Sequence, residues 1–97
     1  MLTLLDQQLP GEVLEGIAHR ARQRRKEQGL SQALLAEKSG VSLGSIKRFE
    51  REHQISLASL VKVAFALGCE RDFAELFSRR SYASIEDVIA EGARSRR

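Results

Sequence analysis

The sequence predicts an all-α protein, a small bundle of five to six helices built as one domain. Three observations predict it. Ala, Leu, Glu and Arg are abundant, whereas the 97 residues hold one proline and five aromatics, with almost no alternation of β-branched and polar residues. Apolar residues recur instead at spacings of three and four, the period of a helix with one buried face. The stretch Ser31–Arg51, SQALLAEKSGVSLGSIKRFER, reads as two short helices joined by a tight turn. A chain of this length can bury one modest core and not two. It divides into an N-terminal arm over 1–11, a helical domain over 12–78, and a short helix with a basic tail over 79–97.

The arm, MLTLLDQQLPG, carries Leu2, Leu4, Leu5 and Leu9 and ends in a Pro-Gly breaker. It is too apolar for a free tail. A short helix, a strand-like arm and a segment that orders only in a complex would each bury these leucines.

A first helix runs from Glu12 to Gln28, with Leu14, Ile17, Ala18 and Ala21 on one stripe and Gly29 closing it. Extending the stripe by four residues reaches Arg25, a cation on the buried side. Glu50 projects from the inner side of a later helix, so the two should meet in a structural ion pair, leaving Arg20, Arg22, Arg24 and Lys26 on more exposed faces.

The second helix spans Ser31–Ser39, with Ser31 as its N-cap and Leu34, Leu35 and Ala36 facing inward. Gly40 supplies the left-handed turn position. Ser42 caps a third helix whose Ile46 and Phe49 share one face, while Gly44, Lys47, Arg48 and Arg51 share the other with Leu43 on its flank. That second face is small and cationic, the shape and charge that enter the DNA major groove, where Arg and Lys pair with guanine O6 and N7.

After the loop EREHQIS, Ile55 or Ser56 opens a fourth helix whose stripe is Leu57, Leu60, Val61, Ala64 and Leu67, stopped by Gly68. Val63 and Phe65 fall off that stripe and need a second partner, either the next helix or another subunit. RDFAELF, residues 71–77, makes a fifth short helix with Phe73, Leu76 and Phe77 inward. Ser84–Glu91 reads as a last amphipathic helix with a Ser84/Asp87 capping arrangement, before the basic end ARSRR.

Charge follows the same division. Residues 20–51 hold nine Lys or Arg against three Glu, a net +6, whereas residues 52–91 hold four against seven acids, a net −3. One half suits a polyanion, and the other suits a protein.

The spacing of Gln32, Ala36, Gly40, Val41, Ile46 and Phe49 resembles the Xre/Cro family of helix-turn-helix proteins over residues 14–68. The resemblance implies a lambda-repressor-like fold and double-stranded operator DNA as ligand. It also implies the Arg25–Glu50 pair and a role for Gln32 at a phosphate or base. The expected DNA contacts are thus Gln32, Ser42, Leu43, Gly44, Lys47, Arg48 and Arg51. The chain departs from the family in having Glu52 where a glycine usually ends the third helix. Two-fold operators match two-fold proteins, so a homodimer is expected, with Val63, Phe65, Phe73 and Phe77 at its interface.

The run FEREHQISLASLVKVAFALG, then DFAELF, then SIEDV with an Arg-rich end, is similar to HipB-like antitoxins. That similarity implies a transcriptional repressor of its own operon that also binds a HipA-like Ser/Thr kinase toxin. A plain Xre-type regulator without a toxin is the alternative.

Other classes find little support. No Cys/His pair, phosphate-cradling glycine loop or carboxylate cluster marks an enzyme, and no cofactor or metal site is expected. Cys69, the single cysteine, reads as a small buried residue at a helix end rather than a reactive thiol. His19 belongs on the first helix, and His53 in a loop is solvated or near a phosphate. With no apolar run long enough for a membrane and no secretion signal, the expected place is the cytoplasm.

Overall fold

The fold is that of a computed structural model, which describes residues 9–80 and Gly92. Over those residues the order is α1 Pro10–Glu27, α2 Gln32–Ser39, α3 Leu43–Glu52 and α4 Leu57–Leu67, followed by a 3-10 turn, Glu70–Phe73. The described residues therefore form four α-helices, not five to six. Leu2, Leu4 and Leu5 of the arm, the expected helix over 84–91 and the basic end lie outside the described residues.

Local chemistry explains where each helix begins. α1 starts at Pro10, two residues earlier than expected. The proline does not break the chain here: its fixed φ suits the first helical position, and its missing N–H would have had no partner there. Glu12 folds back so that its Oε1 accepts the Leu9 N–H at 3.1 Å. The other three helices use serine caps: Ser31 Oγ accepts from the N–H of Leu34, Ser42 Oγ from Ser45, and Ser56 Oγ from Ser59.

Helix ends use left-handed backbone. Gly40 stops α2 at φ 76°, a conformation costly for any residue with a Cβ, and its N–H donates to the Ala36 carbonyl. At the end of α3, which runs through Glu52, the same backbone position falls on His53, φ 63°. An L-residue in this region is strained by about 1 to 2 kcal/mol. His53→Gly should therefore raise stability by roughly 1 kcal/mol, read as a higher denaturant midpoint with an unchanged slope.

The core lies where α2, α3 and α4 converge. Leu35, Val41, Ile46, Val63, Ala66 and Leu67 form one buried cluster, with Ala21, Leu30, Ala36, Ile55 and Cys69 packed against it. Gln28 ties the ends of α1 and α4 together, its Nε2 donating to the Leu67 carbonyl at 2.7 Å.

The packing changes several expectations. α4 turns Val63, Ala64, Ala66 and Leu67 inward and leaves Leu57 65% and Phe65 64% exposed. The sequence LASLVKVAFAL is apolar almost all round, so its periodicity does not fix which side is buried; contact with α2, α1 and the following 3-10 turn does. Leu14 and Leu34 are likewise exposed at stripe positions. Residues 71–77 do not make an α-helix. After the 3-10 turn, single i→i+3 bonds continue through Leu76 and Ser78, Phe73 is half-buried and Phe77 is 95% exposed. Seven residues that bury little beyond Phe73, with Leu76 and Phe77 exposed, cannot repay helix nucleation.

Candidate nucleic-acid interface

α3 has two chemically opposed faces. Ile46 and Phe49 are buried, and Lys47, Arg48 and Arg51 are exposed on the other side, with Leu43 and Gly44 exposed at its first turn. Ser42 stabilises that turn twice, accepting from the Ser45 N–H and donating its hydroxyl to Ser45 Oγ at 2.8 Å.

The start of α2 lies beside this face. Gln32 is half-buried, and its Nε2 donates to Glu50 Oε1 at 3.0 Å, leaving the amide oxygen to accept from elsewhere. As in any α-helix, the first N–H groups of α2 lack intrahelical partners and carry partial positive charge.

Beneath the face sits Arg25, a buried cation in the described core. Its Nε and Nη2 donate to Glu50 Oε2 and Oε1 at 2.7 and 2.9 Å, and its Nη1 donates to the Leu30 carbonyl at 2.8 Å. This two-pronged geometry joins α1 to α3 and satisfies both partners. Arg22 stands at 3.9 Å from the same carboxylate. Burial alone would raise the pKa of Glu50. The hydrogen bonds from Arg25 and Gln32 and the charges of Arg25 and Arg22 outweigh it and hold the carboxyl below its ordinary range. Glu50 is thus a neutralised anion, and the outer face keeps its positive character.

Four of the seven expected DNA contacts line two recesses; Ser42, Leu43 and Gly44 line neither. Gln32, Lys47 and Arg51 line one together with Glu50 and Arg22. Arg51 also reaches Glu52, Nη2 to Oε2 3.1 Å, in an exposed pair. Arg48 faces the other recess, lined also by Ser45, Gln54, Ile55, Ser56 and Ser59. Its Nη2 donates to Gln54 Oε1 at 2.6 Å. Arg22, expected only on a more exposed face of α1, lies within the recess of Gln32, Lys47 and Arg51, and its position one turn before Arg25 on the same side of α1 is the signal that places it there.

The expected interface residues for a second copy do not stay together. Val63, at 1% exposure, belongs to the chain's own core and offers no surface to another subunit. Phe65 remains outside, on a face of α4 shared with Leu57 and half-buried Val61 at four-residue spacing. Among the described residues no helix is long and apolar enough to cross a membrane, and no group of three or more His, Cys, Asp or Glu is placed to hold a metal ion.

In comparison with known families, a family model described as helix-turn-helix matches residues 22–73, more than half of the chain. No curated protein and no solved structure matches it.

Proposed function

Because the chain belongs to the helix-turn-helix family of DNA-binding transcriptional regulators, we propose that it is a sequence-specific repressor whose α3 enters the major groove of operator DNA. The observation that carries this reading is the outer face of α3. Lys47, Arg48 and Arg51 project there from a helix whose other side is anchored by Ile46 and Phe49. Residues 12–78 are the DNA-binding unit. Arg48 and Lys47 read base edges; Gln32, Arg51 and the first turns of α2 and α3 hold phosphates, and Leu43 meets a thymine methyl.

Gly44 supports close approach. A Cβ built there would meet nothing within 4 Å, so the chain itself does not require glycine at this point. Glycine inside a helix nonetheless costs about 1 kcal/mol relative to alanine. A duplex lying against α3 supplies the missing reason.

Binding of a labelled duplex pool, measured against salt and with Arg48→Ala, tests the proposal. Affinity should fall steeply as salt rises, since displaced counterions drive phosphate binding. Arg48→Ala should lose about 1 to 3 kcal/mol at particular base pairs. Equal weakening on every duplex would reduce Arg48 to a phosphate contact, and no salt-dependent binding by the wild type would sink the whole reading.

Within this reading the repressor works in the cytoplasm as a homodimer. The outward face of α4, Leu57, Val61 and Phe65, is the apolar surface for it, with Phe73 and Phe77 as further interface residues. A monomer by light scattering at micromolar concentration would count against the dimer. The antitoxin branch rests on the likeness to HipB-like chains and on the acidic balance of residues 52–91. It requires the full chain to capture a HipA-like kinase encoded beside it, and truncation of 1–9 or 84–97 to abolish capture while sparing operator binding.

A further inference from the structure

Of the cations on the outer face of α3, Arg48 is the one held by the loop that follows the helix. The Gln54 amide oxygen accepts from Arg48 Nη2 at 2.6 Å, six residues away in sequence. The Gln54 side chain is exposed, but the backbone on either side of it is anchored. On one side the His53 N–H donates to the Phe49 carbonyl at 2.8 Å; on the other Ile55 packs against the core and Ser56 caps α4. The loop therefore presents Gln54 from a fixed backbone, whereas an arginine on a helix surface otherwise samples many rotamers.

We infer that Gln54 is a specificity-determining positioning residue, which aims the Arg48 guanidinium at one base pair; this rests on the reading of Arg48 as a base contact. The chemistry allows both bonds at once. A guanidinium carries five N–H donors in a rigid plane, so one spent on Gln54 leaves an edge free for guanine O6 and N7. Fixing the plane favours the one base whose acceptors match it and withholds the guanidinium from the other bases. Gln54 needs no contact with DNA for this effect. Its acceptor oxygen is the required feature.

The experiment uses the full chain and a pool of duplexes with a randomised core, from which the wild type defines a base-preference profile. Gln54→Ala, Gln54→Glu, Arg48→Ala and the double variant Arg48→Ala with Gln54→Ala are then compared on the preferred duplex and its single-base changes. Melting curves establish that each is folded. Gln54→Ala is expected to lower discrimination at the Arg48 base pair, by about two- to tenfold, the range of one intramolecular hydrogen bond. Affinity for unrelated duplex and its salt dependence should stay unchanged. Gln54→Glu keeps an acceptor for the guanidinium and should restore the discrimination, though its charge weakens binding to all duplexes alike. In the Arg48→Ala background Gln54→Ala should add nothing.

Unchanged discrimination in Gln54→Ala, with a clear loss in Arg48→Ala, would overturn the positioning role and leave the base-reading role of Arg48 intact. A further loss in the double variant would also overturn it, by showing that Gln54 reads a base itself. If Arg48→Ala left the profile unchanged, the underlying reading of Arg48 would fail and the positioning role with it.

Discussion

Glu50→Ala is expected to cost about 3 to 5 kcal/mol of folding stability, the effect of breaking a buried ion pair from one side. The Arg25 side chain is only 9% exposed, and without Glu50 its guanidinium would retain one bond, to the Leu30 carbonyl. Arg25→Ala should fall at the lower end of the same range, because Glu50 would keep the Gln32 amide at 3.0 Å and Arg22 at 3.9 Å. Replacing both with apolar residues, Arg25→Met with Glu50→Leu, should recover most of the loss, since the desolvation cost of both charges disappears with them. Thermal melts of the four proteins check the order; wild-type stability in either single variant would refute the structural role.

The same pair ties stability to acid pH. The folded-state pKa of Glu50 lies below its ordinary value of 4.5, so the unfolded chain takes up this proton more readily than the folded one. The contribution of Glu50 is then complete above the unfolded value and is lost as pH falls through the folded one. The melting-temperature gap between the wild type and Glu50→Gln should be constant near neutrality and narrow below about pH 4.5. A gap that widened on acidification would contradict the sign.

Ile46→Ala is expected to cost about 2 to 5 kcal/mol, against about 0.5 to 1.5 for Ile46→Val. Ile46 is 0% exposed, within the cluster formed by Leu35, Val41, Val63, Ala66 and Leu67. A small domain has only about 5 to 15 kcal/mol in total, so the alanine variant would sit near its unfolding threshold. Ile46 also immediately precedes Lys47 and Arg48 on α3, and its cavity would loosen the helix that carries them. Operator binding should therefore weaken more in Ile46→Ala than in Ile46→Val, and recover on cooling as the folded fraction returns. A denaturant midpoint within experimental error of wild type would show that the core does not depend on this contact.

Several features were legible in the sequence because they are decided locally. The serines before α2, α3 and α4 cap helices whose starts are set by the next three residues, and Gly40 closes a turn that needs left-handed backbone. On α3 the contrast between Ile46 and Phe49 on one side and Lys47, Arg48 and Arg51 on the other is strong enough to orient the helix from its own residues. The family match over 22–73 covers this same stretch.

Tertiary structure alone decided the rest. α4 carries apolar residues on nearly every side, so only the surfaces packed against it, those of α2, the 3-10 turn and α1, could select Val63 for the core and leave Leu57 and Phe65 outside. The RDFAELF segment has helical spacing, but only its first turn packs on α4 while Leu76 and Phe77 stay exposed, and hydrogen bonds of the tighter turn prevail. Arg22 beside Gln32 and Lys47, and Gln54 against Arg48, are neighbours through space because α1 crosses α3 and because the loop after α3 doubles back at His53. Periodicity describes one helix at a time, and it holds no information about which faces of different elements will meet.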